Sequence, residues 1–186
     1  AMIQPAITGS GVFTPENIIT NDELVVAFNA YADRINSENA DAIASGDVEP
    51  VPQSSAEFIV SASGIEQRYV MDKTGVLDPN RMFPHLKARS DEEPSIMAEM
   101  AVDAINKALA KAGRDASEVD LVICAASNHE RAYPAMAIEI QQLLGCGGFG
   151  FDMNVACSSA TFGIQAASDM ICTGSVRRAL VVCPEI

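Results

Sequence analysis

Apolar positions in the second half of the chain alternate between two periods. Met97, Met100, Ala101, Ala104, Ile105, Ala108 and Leu109 fall at helical spacing and predict a helix over 95–112, ended by Gly113. A continuous apolar run, 121–126, then reads as a strand. The alternation continues with a helix over 134–144 capped by Gly145, a strand over 149–154, a helix over 159–173 stopped by Gly174, and a strand over 179–183. Strands separated by helices pair in parallel through right-handed crossovers. Their apolar runs are continuous, which is the pattern of strands covered on both faces. The predicted fold is therefore α/β and three-layered, with a mostly parallel buried sheet and helices on both faces. Ligands of such sheets bind beyond the carboxyl ends of the strands. Ser127-Asn128-His129-Glu130 and Val155-Ala156-Cys157 occupy two of those ends.

The first half is less regular. A strand is expected around Ala6-Ile7-Thr8, running into a Gly9-Ser10-Gly11 turn. Thr20-Asn21-Asp22-Glu23 offers an N-cap for a helix from about Asp22, with Leu24, Ala27, Phe28 and Tyr31 on its apolar face. Residues 34–53 turn polar and predict a short exposed helix plus loop. Ser54-Ser55 starts a helix over 56–63, closed by Gly64 at a C′ position, and 66–71 reads as β. Residues 72–93 scatter Pro, Gly and charge, the composition of a long loop or flap.

A net charge of −13 argues against nucleic acid as a partner, because phosphate binding needs a basic surface. Any acidic ligand must then find a local basic patch, either Arg177-Arg178 or the Arg81, Lys87, Arg89 group, each of them more often a solvated face. The apolar runs are too short to cross a bilayer and no leader pattern opens the chain, so the expectation is a cytoplasmic protein with no membrane partner. Five cysteines without a Cys-x-x-Cys pair argue against a disulfide framework or a zinc site, and no metal is expected. Cys124 and Cys183 lie in apolar strand-like runs, where core packing is the default. Cys146 falls in a Gly-rich loop and Cys172 near a helix end.

Cys157 differs from these four. It stands where the 149–154 strand ends and the next helix begins, with Ser158 and Ser159 as natural N-cap residues. A thiol at a helix N-terminus meets the positive end of the macrodipole and unpaired backbone N–H groups, both of which favour the nucleophilic thiolate. The arrangement is of the strand-turn-helix kind that exposes a nucleophile above an α/β sheet. The plainer reading is a small buried hydrophobe.

Several motifs occur in an order that resembles the β-ketoacyl-acyl-carrier-protein synthase III family of the thiolase-like superfamily. They are Ile7-Thr8-Gly9-Ser10-Gly11 with Pro15-Glu16 and Thr20-Asn21; Ser63-Gly64-Ile65-Glu66-Gln67-Arg68; Val119-Asp120-Leu121-Val122-Ile123; Ala132-Tyr133-Pro134; and Asn154-Val155-Ala156-Cys157-Ser158. The resemblance implies that residues 1–186 form a thiolase-like N-terminal half, with the C-terminal half absent from this chain. The segments 29–53 and 72–93 are inserted or flap segments within it, most similar to a β-ketodecanoyl synthase-like subgroup.

What the resemblance implies chemically is a decarboxylative Claisen condensation in fatty-acid biosynthesis. Cys157 would take an acyl group from acyl-CoA, and malonyl-acyl carrier protein would supply the attacking carbanion, with no cofactor besides the two thioester substrates. The Cys157 N–H would serve the oxyanion. Phe58 and Ala62 stand where well-known members carry a Trp that stacks on adenine and an Arg that meets phosphate. Phe58 can still stack and Ala62 cannot hold an anion, so the expectation is a primer held through Arg68 or the inserted segment, or one that arrives on a carrier protein. Tyr133 matches an aromatic that reaches across a homodimer interface to the partner's acyl pocket. The family's catalytic His and Asn belong to the absent half, and neither His85 nor His129 takes their place, so the chain alone is expected to be inactive in condensation. Two alternatives remain open at this point: a Cys-His hydrolase using Cys157 and His129, and a non-catalytic thiolase-like interaction module.

Overall fold

The computed structural model describes residues 3–186. They form two compact units, one of residues 14–88 and one that joins the segment before Thr14 to residues 89–186.

In the 14–88 unit, strand β1 (Asn17–Thr20) pairs antiparallel with β2 (Gln67–Val70), Ile19 lying opposite Arg68. Between them run α1 (Asn21–Glu38), α2 (Ala40–Ser45) and α3 (Ala56–Ser63); α4 (Lys73–Leu77) follows β2. Thr20 caps α1 as the sequence predicts: its hydroxyl accepts from the Glu23 N–H, and the Glu23 carboxylate accepts from the Thr20 N–H at 3.0 Å. α1 extends further than its apolar pattern indicates, and α2 is the short exposed helix expected after it. Ser55 caps α3 and Gly64 closes it with a left-handed φ of 72°.

The polar stretch before α3 is held by two asparagines of α1. Asn29 donates to the Ser54 carbonyl and accepts from the Ser54 N–H; Asn36 does the same with Val51. Seven residues apart, the two amides stand on one face of the helix and act as strand partners for an extended segment that has none. Within 72–93, the Asp72 carboxylate accepts from the N–H groups of Thr74, Gly75 and His85 and from the Thr74 hydroxyl. These bonds, led by that of the His85 N–H, hold its pKa far below the ordinary carboxylate range.

The larger unit contains the sheet. Helix α5 (Ile96–Ala112), a 3-10 turn (Ala116–Glu118), β3 (Leu121–Ala125), α6 (Met136–Leu144), β4 (Phe149–Met153), α7 (Ser159–Cys172) and β5 (Ala179–Val182) follow in order. The strand order is β4-β3-β5, all parallel, with Leu121 opposite both Phe149 and Ala179. Every residue of β3 is buried. Its side chains alternate between two cores: Val122 and Cys124 pack with Met97, Ile105, Met136 and Ile140 of α5 and α6, while Leu121, Ile123 and Ala125 pack with Ala167 of α7. The expected three layers are present.

Two details tighten this unit. Gly163 brings α7 so close to the sheet that a Cβ there would stand 2.9 Å from Val181 Cγ1 and 3.1 Å from Ala125 Cβ. At the amino ends of the strands, Asp120 accepts from the Arg177 and Arg178 N–H groups and its carbonyl accepts from Phe149 N–H.

Three sequence expectations need correction. Residues 6–8 are not a strand; Gly9 and Gly11 lie against the α5 backbone, so close that a Cβ on either would collide with the Ala108 or Ala104 carbonyl, and this approach takes the segment away from the sheet. Cys183 is exposed rather than core, because β5 ends at Val182. Ser158 precedes α7 without a side-chain capping bond, and the Ser159 hydroxyl points back into the preceding turn.

Candidate active site

The turn between β4 and α7 carries Cys157, which is exposed. Ala156 adopts φ +48°, the left-handed region that a non-glycine residue rarely enters. The Ala156 N–H donates to Asn154 Oδ1 at 3.0 Å, and its carbonyl accepts from the Ser159 hydroxyl at 2.7 Å and the Ser159 N–H at 3.0 Å. Val155 N–H donates to the same Ser159 oxygen at 2.8 Å. The chain therefore reverses within two residues, and the thiol is presented outward at the head of α7, whose first turn holds no acidic residue.

The two predicted strand ends meet. Asn154 Nδ2 donates to the Ser127 carbonyl at 2.9 Å, and Ser127 donates from both its N–H and its hydroxyl to Glu185, just past β5. An open cleft of about 370 Å³ lies at these ends, lined by Ser127, Asn128, His129, Arg131, Ala132, Asp152 and Asn154. Asn154, Glu185 and the role of Ser159 are absent from the sequence-based site, whereas Ser127 falls in one of its two strand-end segments. Asn154 and Ser159 bond main-chain atoms of a turn whose conformation an alanine does not advertise, and Glu185 meets Ser127 from 58 residues along the chain.

His129 is turned toward β3: its Nε2 lies 3.2 Å from the Cys124 carbonyl, which can only accept, so Nε2 carries the proton. Cys157 does not line the cleft that His129 borders, and no observation supports the Cys-His dyad. Cys124, His129 and Asp152 place ligand-type atoms within 4.8 Å of one another. Both Asp152 oxygens already accept N–H groups opening α6, those of Met136 and Ala137 at 2.7 and 2.8 Å. Asp152 is thus a helix cap, and burial leads the shift that pushes the Cys124 thiol up to about 12. Burial likewise raises Cys146, and Cys183, exposed as a residue, is raised by the partial enclosure of its sulfur and then by the charge of Glu185.

Tyr133 is 90% exposed and precedes Pro134 through a cis peptide bond. Its loop is fixed by Arg131, which donates to the Pro134 carbonyl and pairs with Glu139, itself bonded to Ser95. Phe58, on α3, and Arg68, on β2, belong to the other unit. Phe58 is 63% exposed. Arg68 Nη2 donates to Asn21 Oδ1, while Nη1 is buried without a partner. The other basic candidates are largely committed. Arg81 stacks 3.8 Å from the Phe83 ring centroid and donates to two carbonyls, Arg89 pairs with Glu99, and Arg178 lies 3.6 Å from Glu118. No described helix is long and apolar enough to cross a membrane.

Residues 151–186 match the family described as 3-oxoacyl-[acyl-carrier-protein (ACP)] synthase III. The chain is 55% identical over 160 residues to a β-ketodecanoyl-[acyl-carrier-protein] synthase of Pseudomonas aeruginosa, covering 86% of this chain and 46% of that protein. It is 30% identical over 186 residues to a β-ketoacyl-[acyl-carrier-protein] synthase III of Granulibacter bethesdensis, covering 44% of it. The fold is similar to the 3-oxoacyl-[acyl-carrier-protein] synthase III of Aquifex aeolicus (TM-score 0.67, 24% identity, 95% of this chain and 43% of that one). It is also similar to Xanthomonas campestris OleA (TM-score 0.70, 18% identity, 98% and 43%). The chain thus spans less than half the length of the relatives it matches. In the order of its motifs, its layered sheet and this kinship over its length, the chain is similar to one half of a β-ketoacyl-acyl-carrier-protein synthase III.

Proposed function

We propose that this chain supplies the acyl-accepting half of a β-ketoacyl-acyl-carrier-protein synthase III, with Cys157 as the nucleophile. The observation that carries the reading is the exposed thiol on a left-handed turn at the carboxyl end of a parallel sheet. Its sulfur attacks the carbonyl of an acyl thioester, the carrier thiol leaves with the proton, and an acyl-cysteine remains. Malonyl-acyl carrier protein then loses carbon dioxide, and the resulting carbanion displaces the Cys157 sulfur to give the β-ketoacyl product. The N–H of Cys157 serves the tetrahedral oxyanion. No metal or organic cofactor takes part.

Kinship with the β-ketodecanoyl synthase supports a medium-chain primer. A ten-carbon product contains two carbons from malonyl, so the primer is an eight-carbon acyl thioester. Phe58, 63% exposed, stacks on the nucleobase of the CoA carrier, and Arg68 is the basic residue nearest it in sequence to meet the phosphates. Acyl carrier protein is the second partner. The assembly is a homodimer in which Tyr133, projecting almost free of its own unit, borders the partner's acyl pocket. The site is cytoplasmic, where these carriers are found.

Incubation with octanoyl-CoA followed by peptide mass spectrometry tests the reading. An octanoyl adduct is expected on Cys157 and on no other cysteine, and it disappears in Cys157→Ser under reading conditions that preserve thioesters. An unmodified Cys157 would refute it.

A further inference from the structure

We propose that Ser159 and Asn154 are positioning residues that hold the Ala156 turn, and through it Cys157, in the geometry needed for acylation. The inference rests on the reading that Cys157 is the acylated residue. Alanine at φ +48° is disfavoured because its Cβ crowds the backbone, so something must hold it there. Both polar groups of Ala156 are taken: the N–H by Asn154 Oδ1 and the carbonyl by the Ser159 hydroxyl. Ser159 is 3% exposed, and its one oxygen both accepts from Val155 N–H and donates to Ala156. That leaves its hydroxyl no proton to give a substrate, which fits a residue acting through the turn rather than on the reacting atoms. Asn154 is anchored in turn: its amide donates to the Ser127 carbonyl, and Ser127 donates to Glu185. The nucleophile's turn is thereby tied to the ends of β3, β4 and β5 together, so the sulfur is referenced to the whole sheet edge.

A glycine at 156 adopts positive φ without assistance, and this makes the proposal separable from a general loss of packing. In the natural protein carrying this chain, single-turnover acylation of Cys157 by octanoyl-CoA is compared among wild type, Ser159→Ala, Asn154→Ala and each variant combined with Ala156→Gly. The single variants are expected to acylate at least tenfold more slowly at saturating thioester, with the half-saturating concentration unchanged. The glycine partners should recover most of that loss. A merely structural role predicts the reverse, since glycine loosens the fold further. Single variants within twofold of wild type, or double variants as slow as the singles, would overturn the proposal. Asn154 is exposed, so its variant folds even if Ser159→Ala does not. Iodoacetamide alkylation of Cys157, run in parallel, separates this inference from the one beneath it. Should wild type form no octanoyl adduct, the acylation reading fails, and the alkylation rates of the same variants still decide whether these two residues position the sulfur.

Discussion

Burial sorts the thiols at the residue scale. Cys124 is wholly enclosed in β3, and its thiol is pushed from an ordinary 9.0 up to about 12, chiefly by burial and then by the charge of Asp152. The folded state therefore keeps a proton that the unfolded chain gives up first. The stability contributed by this neutral thiol is complete below about pH 9 and is lost as pH rises towards 12. The slope is at most about 1.4 kcal/mol per pH unit. Urea melts across that range should show the decline, and Cys124→Ala should flatten it. At pH 8 a thiol reagent is expected to label Cys157 in the folded protein and to spare Cys124 until denaturant is added. The place of Cys157, exposed in the turn between a strand and a helix, was legible in the sequence because the two hydrophobic periods meet there. Asn154 and Ser159 were not, because hydroxyl and amide side chains are common at helix starts and nothing marks which backbone atom they will bond. Ser159 conforms to the N-cap preference in type and departs from it in function, since its oxygen serves the residues before it.

Caps and periodicity explain what could be read at the level of elements. Thr20, Ser55 and Ser95 each accept from an N–H of the helix they precede, and Gly64, Gly113 and Gly145 close three helices in left-handed φ. These signals are local, so the sequence carries them in full. Thr20→Ala removes the hydroxyl that accepts from the Glu23 N–H and should destabilise the protein by about 1 kcal/mol in a denaturant melt. The expected opening strand failed because Ala6-Ile7-Thr8 has strand composition, while its place was decided by Gly9 and Gly11 meeting α5 a hundred residues away. The Asn29 and Asn36 bridges were equally hidden, for their partners are main-chain groups at Ser54 and Val51. Asn29→Ala together with Asn36→Ala should leave helix content nearly unchanged by circular dichroism and hasten proteolytic cleavage within 47–54. Protection equal to wild type would contradict the bridging role. Gly163→Ala should destabilise by about 1–3 kcal/mol, because α7 must lift from Ala125 and Val181 to admit a methyl group.

For the whole molecule, the alternation of strands and helices was enough to give the parallel three-layer arrangement, while the compact division at residues 13–14 and 88–89 left no compositional mark. The condensation proposed above calls on groups beyond Cys157. The 186-residue chain carries two histidines: His85, whose backbone N–H is bonded to Asp72 within the 14–88 unit, and His129, whose ring is bonded to the Cys124 carbonyl and which borders a cleft that Cys157 does not line. The chain by itself is therefore expected to accept an acyl group at most, with no β-ketoacyl product detectable by chromatography when malonyl-acyl carrier protein is added. Product formation at a rate matching the relatives would contradict this.

Strands β4 and β5 each have one neighbour, β3, so both borders of the described sheet present unsatisfied main-chain donors and acceptors. Such margins recruit any extended polypeptide within reach, copies of the same chain included. Produced in isolation, this half should scatter more light as its concentration rises and bind amyloid-sensing dyes sooner than a closed barrel of similar size. Handling it will call for dilution or a covering sequence as much as for the right buffer.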